Sequence, residues 1–145
     1  MFRKLDDTIS VAGQIEPADI AQAARQGFAF IINNRPDGEA PGQPSGAEMK
    51  AAADAAGLGY AAIPITHAGF SEEQVAAMGQ ALAAAPGPVL AFCRSGTRST
   101  LVWALARARA GDAPAELSAK AAAAGYDLSP IRPLLGRSQI KRPAE

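Results

Sequence analysis
The chain has little with which to do covalent chemistry: one cysteine, one histidine and one tryptophan in 145 residues, with aromatic residues at 6%. A single cysteine excludes an internal disulfide, so nothing points to an oxidising compartment, and a reduced cytoplasm is the expected setting. Net charge is lacking too. Fourteen basic residues balance 14 acidic ones, which argues against a nucleic-acid partner or an anionic membrane surface but leaves room for a local basic pocket. No apolar run approaches the roughly 20 residues of a membrane span, and Met1–Asp7 has no apolar segment of the secretory kind. The length suits one domain over 1–145 with its own core, and no repeat or linker interrupts it. Neither a metal nor a cofactor is expected.

What is present is an alternation of apolar runs and helical patterns. Thr8–Gly13 alternates polar and apolar residues and predicts a short strand at a sheet edge. Glu16–Ile20 opens a helix with Pro17 in its first turn, closing at Gly27. Phe28–Asn33 is almost wholly apolar and predicts a central parallel strand, covered on both faces. Ser45 and Glu48 have capping-box spacing for a helix over 47–56, and Ser71 with Gln74 repeats it for a helix to Ala85. Between them Gly59–Ile65 reads as a strand, with Pro64 marking its end or an edge. After Pro86-Gly87-Pro88 comes a strand to Phe92, and beyond Ser99 a helix with Leu101, Val102, Leu105 and Ala106 on one face. Two further helical segments start at Asp112-Ala113-Pro114 and Ser129-Pro130, and the basic tail from Gly136 is expected to fray. This order predicts an α/β fold: three layers, a mostly parallel central sheet flanked by helices, and right-handed crossovers.

The lone cysteine sits where such a fold exposes backbone N–H groups, at a strand's carboxyl end just before a helix. Helix N-termini and neighbouring guanidinium groups favour the thiolate. A single cysteine after an apolar run is most often a small buried hydrophobe. Here Arg94, Ser95, Thr97, Arg98 and Ser99 are too polar to continue a core, and Gly96 permits a turn. Cys93 is therefore the candidate nucleophile, with Arg98 as the anion-binding residue. Arg94, Ser95, Gly96, Thr97 and Ser99 are the candidate cradle, Ser99 as a donor to the sulfur.

Two more loops follow strands and are expected to converge on the same end of the sheet. One runs from Asn34 to Ser45 and offers Arg35 and Asp37. The other, Thr66–Phe70, offers His67, which as a lone loop histidine is more often merely solvated.

Cys93–Ser99 resembles the signature loop of cysteine-dependent tyrosine and dual-specificity phosphatases and of rhodanese sulfurtransferases. Together with Ile31–Glu39, Gln43-Pro44-Ser45, Tyr60–Ile65 and Ala124–Asp127, the chain resembles the phosphatase-like domain of bacterial beta-lactamase-hydrolase-like proteins. That resemblance implies a phosphatase-like α/β fold and a small anionic substrate, either a sulfane sulfur donor or a phosphate ester. In some relatives it also implies a persulfide dioxygenase, or another sulfur acceptor, as partner.

The sequence departs from the phosphatase pattern twice. Only four residues separate Cys93 from Arg98, the rhodanese spacing, where phosphatases have one more. Thr66-His67-Ala68 also has no carboxylate where phosphatases place their acid. On these grounds sulfur transfer through a persulfide on Cys93 is the expected activity. Phosphate-ester hydrolysis through a cysteinyl-phosphate is the alternative, and a non-catalytic oxyanion- or thiol-sensing module the third.

Overall fold
In a computed structural model, which describes residues 2–140 and side chains as far as residue 136, the chain forms a five-stranded sheet in the order β1-β2-β5-β3-β4. The strands are β1 (Arg3–Asp6), β2 (Ile9–Ala12), β3 (Phe30–Asn33), β4 (Gly59–Ala62) and β5 (Val89–Phe92). All neighbouring pairs are parallel except β1 with β2. The helices are α1 (Pro17–Arg25), α2 (Gly46–Ala55), α3 (Glu72–Ala84), α4 (Thr97–Ala110), α5 (Pro114–Ala123) and α6 (Arg132–Ile140). A 3₁₀ turn, Ser129–Ile131, leads into α6.

The strand side chains alternate between two cores, which makes the three layers. Ile31, Leu90 and Phe92 pack with Ile20 and Ala23 of α1 and with Met49 and Ala53 of α2. Ile32, Val89, Ala91, Ile9 and Val11 face the other way, onto Val75 and Met78, Leu117 and the length of α4. That second core is the larger, and it buries α4 almost all round, including Trp103 at 1% exposure. The expected one-sided stripe of Leu101, Val102, Leu105 and Ala106 is thus only part of its buried surface. Alanines at 104, 106 and 108 let neighbouring helices approach it.

Two expectations need correction. The strand at Thr8–Gly13 is not at an edge, because β1, formed by the charged stretch Arg3-Lys4-Leu5-Asp6, pairs outside it. Only Leu5 of β1 is buried, so a periodicity reading finds nothing there. The helix after the cysteine begins at Thr97, three residues before the start expected beyond Ser99, so Arg98 lies in its first turn. From Gly136, where the tail expected to fray begins, α6 runs on as far as Ile140, and residues 141–145 lie outside the described residues. The edge position of β4 is as expected.

Candidate active site
Strand register places the site. Ala12, Phe92 and Asn33 are paired across β2, β5 and β3, so Gly13, Cys93 and Asn34 emerge side by side at the carboxyl ends. The loops are then pinned to one another. The Cys93 N–H donates to the Ala12 carbonyl (3.3 Å), the Gln14 N–H to the Arg94 carbonyl (3.2 Å), and the Asn34 N–H to the Phe92 carbonyl (2.8 Å). The crossing is close at Gly13, where a Cβ would stand 3.0 Å from the Arg94 oxygen and the cysteine loop would have to give way.

Cys93 is fully buried but belongs to neither apolar cluster. Its sulfur accepts a hydrogen bond from the Gly96 N–H (3.2 Å). Gly96 is the N-cap of α4 at φ 92°, in the left-handed region, with no side chain to cap the helix. Elsewhere Ser45 and Ser71 use their hydroxyls to satisfy first-turn N–H groups. At α4 those groups, which have no partner within the helix, are left for another acceptor.

Arg98 is held in place by two other loops. Its Nη1 donates to Glu39 Oε2 (2.7 Å) and to the Ile65 carbonyl (2.6 Å), and its Nη2 donates to Glu39 Oε1 (2.8 Å). Glu39 thus grips the end of the guanidinium. Nε–H and the second Nη2 proton remain along one edge of the planar group, and the guanidinium also interacts with the Cys93 sulfur. Its hydrogen bonds to Glu39, with the Cys93 sulfur adding to them against the effect of burial, hold Arg98 above the ordinary guanidinium value. In return, hydrogen bonding by Arg98 first, and by Arg35 as well, depresses the Glu39 pKa from 4.5 to about 2 despite burial.

The other expected site residues divide. Arg94, Ser95 and Thr97 are exposed on the loop, with the Ser95 hydroxyl donating to Thr97 Oγ1 (3.0 Å). Arg35 is only 6% exposed and does not face the loop. Its Nε donates to Glu39 Oε1 (2.9 Å) and its Nη1 to Gln14 Oε1 (3.0 Å), so it braces Glu39. Asp37 accepts the Gly46 N–H (2.7 Å) and serves the start of α2. His67 is exposed at the tip of a turn closed by the Gly69 N–H and Thr66 carbonyl (3.3 Å). Ser99 does not serve the sulfur: its hydroxyl donates to Asn34 Oδ1 (2.7 Å) inside the fold. Three loops do converge as expected, but through Glu39 and the Ile65 carbonyl rather than Asp37 and His67.

Glu39 and Tyr126 are the contributors that residue patterns missed. Each lies within a segment matching the family pattern, yet nothing local distinguishes Glu39 from the solvated carboxylates around it.

Residues 1–110 match the model of the beta-lactamase hydrolase-like protein, phosphatase-like domain. The chain belongs to this family. It is 42% identical over 108 residues to a beta-lactamase hydrolase-like protein of Agrobacterium fabrum, an alignment covering 74% of this chain and 25% of that one. A Xylella fastidiosa protein of the same name is 35% identical over 140 residues, 96% of this chain and 32% of that one. The chain thus spans a quarter to a third of the curated relatives it matches. Among solved structures, a candidate phosphatase from Neisseria meningitidis is 36% identical and superposes with a TM-score of 0.82, covering 94% of this chain and 96% of that one. This family is phosphatase-like, which supports the alternative named from the sequence and gives no support to sulfur transfer. No helix among the described residues is long and apolar enough to cross a membrane.

Proposed function
We propose that the domain is a cysteine-dependent phosphatase acting on phosphate monoesters, with Cys93 as nucleophile and Arg98 as the group that binds the phosphoryl oxygens. The observation that carries this reading is the divided use of Arg98. Glu39 and Ile65 take one end of its guanidinium, which leaves Nε–H and one Nη2 proton as a two-point edge that suits a phosphoryl oxyanion, on a group that also interacts with the Cys93 sulfur. First-turn N–H groups of α4 complete the cradle.

In the first step the Cys93 thiolate attacks phosphorus: the P–S bond forms, the P–O ester bond breaks, and the alcohol or phenol leaves with the bonding pair. Water then attacks the cysteinyl-phosphate, the P–S bond breaks, and inorganic phosphate departs with the thiolate restored. No carboxylate in these loops suits proton donation to the leaving oxygen. Glu39 is held ionised and Asp37 caps α2. Esters of phenols, which leave as stable anions, are therefore the favoured substrates.

Two observations favour the sulfur-transfer reading, the four-residue separation of Cys93 and Arg98 and the lack of a carboxylate in Thr66-His67-Ala68. The two readings part in a trapping experiment. The purified protein is incubated separately with p-nitrophenyl phosphate and with thiosulfate, quenched in acid and weighed by mass spectrometry. A phosphoryl adduct on Cys93 with nitrophenol release is expected. A persulfide with no phosphoryl adduct would reverse the assignment.

A further inference from the structure
The peptide group joining Ser95 to Gly96 is held at both ends. On one side the Gly96 N–H donates to the Cys93 sulfur (3.2 Å). On the other side the Ser95 carbonyl accepts from the Tyr126 hydroxyl (3.0 Å), from a residue beyond the end of α5. In a trans peptide the N–H and C=O point in opposite directions, so a donor that fixes the oxygen also fixes the aim of the hydrogen. We propose that Tyr126 is a positioning residue of the site, whose hydroxyl holds the Ser95–Gly96 peptide in the orientation that directs its N–H at the Cys93 sulfur.

The surroundings favour this role over mere packing. Gly96, without a Cβ, is the residue about which such a peptide turns most readily, so the orientation needs an external restraint. The phenol oxygen stands in the space a Gly96 Cβ would fill, a closeness that glycine alone permits. Tyr126 is itself anchored. The Arg3 guanidinium lies over its ring, 5.8 Å from the centroid, and Arg3 Nη1 donates to the Ala124 carbonyl (3.0 Å). Burial raises the Tyr126 pKa, the Cys93 sulfur adds to the rise and Arg3 opposes it, so the hydroxyl keeps its proton at neutral pH. β1, whose Arg3 pairs with Val11 near the carboxyl end of β2, thereby supports the loop.

The inference rests on Cys93 as the nucleophile and not on the group it attacks, so its test uses an alkylating agent. The rate of Cys93 alkylation by iodoacetamide is measured against pH for wild type, Tyr126→Phe and Arg3→Gln, alongside urea denaturation. Phenylalanine keeps the ring in place and removes only the donor. The rise of the alkylation profile should move to higher pH by about one to two units in Tyr126→Phe, the worth of one hydrogen bond to an ion. Arg3→Gln, which keeps the hydroxyl and removes one of its anchors, should displace the profile no further than Tyr126→Phe does. A Tyr126→Phe profile that superposes on wild type, with or without lost stability, overturns the proposal and leaves Tyr126 as packing. A larger displacement in Arg3→Gln than in Tyr126→Phe overturns it too, by showing that the effect does not pass through the hydroxyl. A phosphatase assay without turnover but with a displaced alkylation profile would refute the proposed reaction and leave this inference standing.

Discussion

Glu39 and Arg98, 59 residues apart, meet in a two-point ion pair with N–O distances of 2.7 and 2.8 Å. The pair is mostly shielded, with 19% and 11% of the two side chains exposed. It sets the guanidinium's plane before any substrate arrives, which is the preorganisation that makes a charged donor effective.

Arg98→Lys should abolish that division of labour, because an ammonium cannot grip Glu39 with one edge and offer a planar fork with another. A loss of about 10²–10³ in kcat is expected, the cost of one well-placed oxyanion donor. Steady-state kinetics on an aryl phosphate will measure it, and an unchanged kcat would remove Arg98 from the reaction.

Glu39 gives a pH signature. Its pKa is lowered from 4.5 to about 2 on folding, so its contribution to stability is fully present above about 4.5 and is lost as pH falls through about 2. In Glu39→Gln that part of the acid destabilisation should be missing. Urea midpoints across pH 2 to 6 for both proteins will show it, and parallel curves would contradict the assignment.

The absence of a suitable acid predicts steep dependence on the leaving group. Aryl phosphates should be turned over faster than alkyl phosphates by about 10²–10⁴, the worth of a general acid. His67→Ala should leave the aryl rate within about twofold, since its imidazole is solvent-exposed. A comparable alkyl rate would show that a proton donor is at work, and its loss in His67→Ala would name the donor.

Ser99→Ala should act on stability rather than on the sulfur. Removing the hydroxyl leaves the fully buried Asn34 Oδ1 without its donor, a penalty of about 1–3 kcal/mol. Chemical denaturation will read that loss, while Cys93 alkylation should keep its wild-type pH profile.

Gly96→Ala meets both a left-handed backbone at φ 92° and the Tyr126 oxygen. A destabilisation of about 1–3 kcal/mol is expected from the backbone alone, with activity falling further as the loop shifts. Denaturation and kinetics measured together will separate the two effects.

Much of the framework was legible because it is written in short stretches. Ser45 with Glu48 and Ser71 with Gln74 form the capping boxes their spacing predicts, and Gly57, Gly111 and Gly125 follow helix ends with positive φ. The apolar runs at Ile31-Ile32 and Val89–Phe92 fall on the central strands, and Cys93 stands at a strand end before a helix. The sequence by itself therefore determined the order of elements from β2 onward, the three layers and the place of the candidate nucleophile, since each depends on contacts within about a helical turn or on side-chain alternation. Loop length and the missing carboxylate, read alone, favoured sulfur transfer; family and structural likeness favour the phosphatase. Only the tertiary structure decided which polar residues serve the site. Glu39 rather than Asp37 reaches Arg98, Ser99 turns to Asn34, 65 residues away, and Tyr126 reaches back 31 residues to Ser95. β1 likewise exists because β2 offers it an edge, not because its charged residues favour a strand. Such partners are chosen by strand register and by the crossing of loops, and a polar side chain carries no local mark of the distant atom it will meet.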